Sequence, residues 1–383
     1  TFLAPPMYAP SGTRYKNIGS TKSFSGFTIT DENGVKYVYG MTTDAIEYSM
    51  AFFNQYYEDW LANAWYLTKI IRPGGQEVTL NYQRDSYINQ VFSAVNNTIE
   101  SRVSTGGGIY SLDLPCSSTT QFGIYSSYDA QLISPVYLQN ISGSNIKVTF
   151  ARSTTTELKY PEIVYYSQNS SFRDANGAFP DFLPFLNEAP ETNYEGLSEL
   201  KFKKLDTIKI ETASGVVQRK FVLQYNNVST ERLMLKSVQE IGANNEKKPP
   251  YLFIYDTSVP LPPYFANKND HWGFYNGTEA SFDTSSTYYL TYYDKREPNA
   301  TYLYAGTISK IIYPTGGITE FIYEPHMYSK RLYERRSLGV DPYFVTNTLV
   351  GGLRIKKIIS YDINADSVKT TKEYFYNAPA GSS

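Results

Sequence analysis

Few side chains in this 383-residue sequence could do acid–base, nucleophilic or metal chemistry, for it holds only two histidines and one cysteine. His271 follows Asp270 in the segment Asp270-His271-Trp272-Gly273-Phe274-Tyr275-Asn276-Gly277. A carboxylate beside an imidazole that titrates near neutrality is the raw material of a general base. The plainer reading is a turn that Asp270 caps, with Trp272 buried as a structural plug in a groove. His326 follows Glu324-Pro325 at the end of a strand-like run, where turn stabilisation suits it better than metal ligation. Cys116 has no basic neighbour to favour its thiolate. A single cysteine excludes an intrachain disulfide, and with two histidines it cannot build a Cys/His zinc cluster of the usual spacing. The adjacent acids Asp31-Glu32 and Glu58-Asp59 do not make a glycosidase pair, whose carboxyls face each other from separate elements about 5–9.5 Å apart. The expectation is no catalytic residue, no cofactor and no metal. Trp272, Phe274 and Tyr275 keep one binding reading open, a platform on which sugar rings stack.

The elements that must position these residues are strands. Tyr occurs 37 times against 25 Gly, and aromatic residues make up 16% of the chain, which suits half-buried pleated surfaces. Lys and Arg number 35 against 37 acids, a net charge of −2, so no field draws in nucleic acid or an anionic membrane. No stretch approaches the about 18 apolar residues of a membrane helix. The one helix-like spacing, Ile46, Met50, Phe53, Tyr57, Trp60 and Leu61, admits a short helix within 44–64. Elsewhere short β-rich runs alternate with turn residues: Phe27–Thr30, the turn Asp31-Glu32-Asn33-Gly34, then Val35–Gly40 reads as a hairpin.

Hairpin units recur along the chain. Trp65 to Tyr82 and Gly306 to Tyr323 share a Lys-Ile-Ile strand, a Pro-Gly-Gly or Pro-Thr-Gly-Gly turn and a second strand ending in Tyr. Lys69 to Tyr82 and Lys310 to Tyr323 both span thirteen residues, while Lys236 to Tyr255 and Lys357 to Tyr376 both span nineteen. Leu205 to Tyr225 is a fifth copy. Trp65, Lys69, Tyr82, Lys310, Gly316, Gly317 and Tyr323 are therefore repeat residues with structural roles. Leu80 with Tyr82, and Phe321 with Tyr323, are expected on the packed face. Each Lys is expected with its stem packed and its ammonium wet. The fold class is all-β, antiparallel hairpin repeats forming curved sheets with little helix. Composition divides it into a β region 1–166, a Pro/Asn-rich loop or linker 167–196, and a hairpin-repeat region 197–383.

Taken in order, the hairpin Asp31–Gly40, the unit Trp65–Tyr82, Pro135-Val136-Tyr137-Leu138 with Ile146–Phe150, the Asp270–Gly277 box, and Tyr313–Gly317 with Tyr323-Glu324-Pro325-His326 resemble the N-terminal part of large Rhs/YD-repeat proteins of the Bacteroidetes type. Gly351-Gly352-Leu353-Arg354-Ile355 fits the same series. The resemblance covers most of the chain. It implies a β-sheet shell, secreted or on the cell surface, that encloses or presents a C-terminal cargo such as a polymorphic toxin. The chain would be a non-catalytic segment that begins or caps the shell. Its partners would be the downstream part of the same polypeptide or its cargo, and export or surface proteins. The self-cleaving, Asp-rich core motif of that family is missing, so no catalytic residue carries over. The chain opens on Thr1 without a signal pattern, which is expected of a piece of something longer. The alternative is a cell-surface adhesin or glycan-binding module using its aromatic loops; a hydrolase is a third reading.

Overall fold

The computed structural model describes residues 2–3, 23–51, 60–100, 121–161, 200, 202–280, 295–331, 343–362 and 365–376. Cys116, Glu58-Asp59 and the expected linker 167–196 lie outside them. The chain forms two compact units, the first Thr1–Ala94, Ser127–Leu158 and Glu162–Pro250, the second Val95–Ser126, Lys159–Pro161 and Tyr251–Ser383.

In chain order the strands are β1 (Phe2–Leu3), β2 (Ser23–Phe24), β3 (Gly26–Thr30), β4 (Lys36–Gly40), β5 (Ile46–Ala51), β6 (Leu61–Trp65), β7 (Leu67–Ile71), β8 (Glu77–Arg84), β9 (Ile88–Glu100), β10 (Gln121–Ser134), β11 (Val136–Ser142), β12 (Ile146–Thr154), β13 (Lys203–Thr212), β14 (Val217–Tyr225) and β15 (Leu235–Gly242). They continue with β16 (Tyr251–Tyr255), β17 (Ile308–Ile312), β18 (Gly317–Arg331), β19 (Tyr343–Asp362) and β20 (Ala365–Glu373). The described helix is one α-helical turn, Ala300–Leu303, and a 3₁₀ turn at Thr43–Ala45. The protein is all-β and antiparallel. No described helix is long and apolar enough to cross a membrane.

In the first unit, strands follow one another as β3-β4-β7-β8-β11-β12-β13-β14-β15. A second sheet, β6-β5-β10-β9, carries many of the buried apolar side chains among the described residues. Ile46, Tyr48 and Met50 are at most 3% exposed, and Met50 pairs with Leu132, also buried. Over the described part of 44–64 the helix expectation does not hold, for Ile46–Ala51 and Leu61–Trp65 are strands. Ile46, Tyr48 and Met50 alternate at period two, and β5 pairs with β10 and β6 on either side, so strand pairing takes up the backbone that a helix would have bonded internally. Residues 52–59 are not described. Arg84 pins the two sheets together. Its guanidinium donates to the carbonyls of Ser134, Thr43 and Ile46 at 2.7, 2.5 and 2.6 Å and lies over the Tyr48 ring.

In the second unit the strands run β16-β17-β18-β19-β20. The same hairpin turn recurs in both units. In each, residue one donates to the carbonyl of residue five, and residue four, at positive φ, donates back to residue one. The turns are Asp31 with Gly34, Arg72 with Gly75, Thr212 with Gly215, Gly242 with Asn245, and Tyr313 with Gly316. This is a three-residue hairpin loop whose left-handed residue relieves the mismatch between turn and strand twist, which explains why Gly, or Asn at 245, stands there. The Pro-Gly-Gly signals at 73–75 and 314–317 are thus turn chemistry, as their sequence implies.

Candidate functional site

The recurrent feature of the structure is a junction between hairpins. Where one hairpin meets the next, a residue of the earlier strand, most often Tyr, faces a Leu or Ile, and the next residue of the new strand bulges out. Among the described residues this happens at Tyr39 facing Leu67 (Thr68 bulged), Tyr82 facing Leu138 (Gln139), Arg152 facing Leu205 (Asp206), Tyr225 facing Leu235 (Lys236), Tyr255 facing Ile308 (Ser309) and Tyr323 facing Ile355 (Lys356). A bulge adds one residue to one strand and sharpens the local twist. Where the bulged residue has a hydroxyl, it makes a further bond. Thr68 Oγ1 donates to the Val38 carbonyl at 3.1 Å and Ser309 Oγ to the Ile254 carbonyl at 3.2 Å, in each case the residue just before the tyrosine.

The facing Leu or Ile has a second role. Its carbonyl accepts the phenol of the tyrosine that closes its own hairpin: Tyr82 to Leu67 at 2.9 Å, Tyr225 to Leu205 at 2.9 Å, Tyr323 to Ile308 at 2.7 Å and Tyr376 to Ile355 at 2.6 Å. The Lys-to-Tyr spacings follow from this latch. Lys69 pairs with Thr79, Lys310 with Glu320, Lys357 with Glu373 and Thr207 with Val222, and in every case the tyrosine stands three residues further on. Lys357 to Tyr376 is the longer span because β19 and β20 run further before their turn than β7 and β8 do. Lys236, which shares the nineteen-residue spacing to Tyr255, is the bulged residue of its junction and does not hold the same register position. Burial raises the phenol pKa of Tyr82, Tyr225 and Tyr323, so these groups hold the proton they donate.

Lys69, Lys310 and Lys357 each pair with an acid on the second strand, Glu77 at 3.3 Å, Glu320 at 2.7 Å and Glu373 at 3.1 Å. They are partly exposed, with the stem along the sheet. Tyr361 adds its phenol to Glu320 at 2.7 Å. The lysine and this phenol together hold the Glu320 carboxyl below its usual range. Leu80 and Tyr82 lie on the less exposed face, as do Phe321 and Tyr323, with Asn81 and Ile322 on the other. Trp65 stacks on Phe24 at 4.2 Å and donates its indole N–H to the Phe24 carbonyl. Gly317 lies just past the turn that Gly316 makes and pairs with Asp362.

The Asp270–Gly277 box is a knot of backbone contacts, and it departs from expectation at its tryptophan. Asp270 is fully buried, and its Oδ1 accepts the backbone N–H groups of Trp272 and Phe274, both at 2.9 Å. That carboxylate therefore caps the turn, as its sequence implies, and does not orient the His271 ring. With Gly273 at φ +89°, the turn swings Trp272 outward: Trp272 is 49% exposed and Phe274 46%. Trp272 is not a buried plug; Asp270 and Asn276 fill that place. Asn276 donates to the carbonyls of Lys295 and Glu297 and accepts from Thr278 N–H. Tyr275 packs edge-on against Tyr302, whose ring lies flat over Gly277 where no Cβ fits. The inner edge of Phe274 lies against Gly351 and Gly352, and His326 borders Gly352. Three separate sequence motifs thus meet at one place.

His271 is 3.6 Å from Glu297, itself largely exposed. No group of three or more His, Cys, Asp or Glu side chains that could hold a metal occurs among the described residues. The sequence signalled the tyrosines and lysines of the junctions. It did not reveal Arg84, the bulges, or the Leu or Ile two residues before Lys69, Lys310 and Lys357, since a bulge leaves no residue type of its own.

No family model and no curated protein matches this chain. Solved structures do. A TcdB2-TccC3 crystal structure is similar over 90% of this chain at 10% identity with a TM-score of 0.31. A Photorhabdus luminescens Tc holotoxin pore with a mutated TccC3 is similar over 86% at 11% identity, with a TM-score of 0.29. This chain spans 15% of the first and 13% of the second.

Proposed function

We propose that this chain is a non-catalytic wall segment of an Rhs-like shell, a run of latched hairpins that begins or caps an enclosure for a cargo such as a toxin. The single observation that carries the reading is the repeated junction, in which Tyr, Leu or Ile and a bulged residue fix register strand after strand. Such an arrangement propagates a sheet. The finer attributes, a Bacteroidetes-type Rhs/YD-repeat parent that is secreted or displayed at the cell surface, rest on the sequence resemblance. In each unit the less exposed face, with Leu80 and Tyr82 in the first and Phe321 and Tyr323 in the second, is the one that would look onto cargo.

A photo-reactive amino acid placed at Leu80, in a polypeptide that joins this chain to its cargo, tests the reading. Capture of cargo from Leu80 and none from Asn81 on the opposite face is the expected outcome. Capture from Asn81 alone would overturn it. The second reading, a glycan-binding surface module, is favoured by one observation, the outward-facing Trp272 and Phe274 on a rigid turn. Retention on immobilised glycans that is lost in Trp272→Ala would establish it.

A further inference from the structure

We infer that Tyr66 is a redox-active tyrosine, whose phenol yields an electron to a diffusible one-electron oxidant, such as a carbonate or peroxyl radical, while its proton passes to Glu47. Tyr66 stands between β6 and β7, and its backbone is fixed on both sides. Its N–H donates to the Ala45 carbonyl and its own carbonyl accepts from Gly40 N–H, both at 2.9 Å. The side chain is half-buried, and its phenol donates to Glu47 Oε2 at 3.2 Å. A phenol that loses an electron becomes a strong acid, so a buried one gives up the electron readily only where a base already holds its hydrogen bond. Burial first, then Glu47, pushes the Tyr66 pKa up to about 12, so the phenol is still protonated when the electron leaves. Burial also makes the Glu47 carboxyl hold a proton more readily than a free one, against the opposing pull of the Tyr66 bond and the Arg84 charge.

In the step itself the oxidant gains one electron, the Tyr66 Oη–H bond breaks and an O–H bond forms at Glu47 Oε2. The products are a neutral phenoxyl radical and a carboxylic acid that donates back to it. Neighbouring rings lack such a base. Tyr82 lies 5.3 Å from Tyr66, ring centre to ring centre, but its phenol donates to the Leu67 carbonyl, and the Trp65 indole N–H donates to the Phe24 carbonyl. An amide carbonyl does not take the proton, so the radical settles on Tyr66. The phenols of Tyr361 and Tyr37 also reach carboxylates. Glu320, which accepts from Tyr361, is held below its usual range by Lys310 and is the poorer base. Asp31, 3.4 Å from the Tyr37 phenol, already accepts the N–H groups of Asn33 and Val35. The inference concerns one side-chain pair of the first unit and holds whether or not the chain is a wall segment.

The test oxidises the full chain with photogenerated tris(bipyridine)ruthenium(III), a one-electron oxidant. Radicals are read by electron paramagnetic resonance and located by a nitroso spin trap with peptide mass spectrometry. A tyrosyl signal with the trap chiefly on Tyr66 is expected in the unaltered protein. Glu47→Gln keeps an acceptor for the phenol but no base, and should slow radical formation at Tyr66 about 100-fold. Tyr361→Phe should leave it unchanged. Trapping chiefly at Trp65, Tyr361 or any residue other than Tyr66 would overturn the inference, and so would an undiminished rate in Glu47→Gln. The mapping on the unaltered chain decides the site even if a variant fails to fold.

Discussion

The phenol of Tyr323 donates to the backbone carbonyl of Ile308 at 2.7 Å, and Ile308 is the residue that faces Tyr255 in the strand before. One aliphatic residue therefore links two tyrosines, one by side-chain contact across a junction and one by a hydrogen bond across its own hairpin. Ile355 does the same between Tyr323 and Tyr376. Removing the phenol while keeping the ring isolates the latch. Tyr323→Phe and Tyr82→Phe should each lower stability by about 0.5–1.5 kcal/mol, the net worth of a neutral hydrogen bond. Urea unfolding checks this, and an unchanged midpoint in both variants would show that the phenols play no part in stability.

The glycines separate two kinds of constraint. At Gly75 and Gly316 φ is +82° and +89°, and no atom lies within 4 Å of a Cβ built on Gly75. Gly75→Ala should therefore cost only left-handed backbone strain, about 1–2 kcal/mol. At Gly351, a Cβ would come within 2.4 Å of the Asp270 carboxylate and 2.6 Å of Phe274. Gly351→Ala should be the more damaging substitution, and differential scanning calorimetry of the two variants ranks them.

The sequence makes the hairpins legible because a turn and two strands are local. The Asp31–Gly34 and Pro73–Gly75 turns, the second strands with their alternation, and the equivalence of Tyr82 and Tyr323 are all visible in residue order. The junctions are not local. That Leu67 serves both Tyr39 and Tyr82 depends on a bulge at Thr68, which no residue type announces. Ile46–Ala51 reads as a helix because Ile46, Met50 and Phe53 fit a 3.6-residue period, yet two neighbouring strands claim its backbone. Trp272 reads as a plug because large aromatics usually pack inward; here the buried acceptor Asp270 sets the turn and sends the ring out.

That reversal gives a prediction for the box. Trp272→Ala should cost less than about 1 kcal/mol, as expected of an exposed side chain outside any network. Asp270→Ala removes a buried carboxylate that accepts two part-buried backbone N–H groups and should cost about 2–4 kcal/mol. Thermal melts of the pair should diverge, and a larger loss in Trp272→Ala than in Asp270→Ala would contradict the assignment.

Alkaline pH should unfold the protein early. Tyr66, buried and hydrogen-bonded to Glu47, has its pKa pushed up to about 12, and burial also raises Tyr82, Tyr225, Tyr255 and Tyr323. A phenol whose pKa is higher folded than unfolded binds its proton more tightly in the folded state. Its contribution is complete below the unfolded value of about 10 and is lost as pH rises toward 12. On the acid side, Glu320 and Asp85 are held below their usual range by Lys310 and by the Ser86 N–H with Lys203 respectively, so their contribution is present above about pH 4 and fades below it. The denaturation midpoint should be flat between these limits and fall on both sides. A midpoint unchanged through the alkaline window would contradict the burial of these phenols.

The bulge at Lys356 can be measured directly by disulfide cross-linking in a Cys116→Ser background. On the Gly317 side of the bulge Phe321 faces Ile358, and beyond it Glu324 faces Arg354. Cysteine pairs at 321/358 and at 324/354 should both oxidise readily, because facing residues point to the same side of the sheet. A pair at 324/355, which continues the register without a bulge, should not. Efficient cross-linking at 324/355 with none at 324/354 would mean that the strands pair without the bulge, and the junction on which the wall reading stands would not exist.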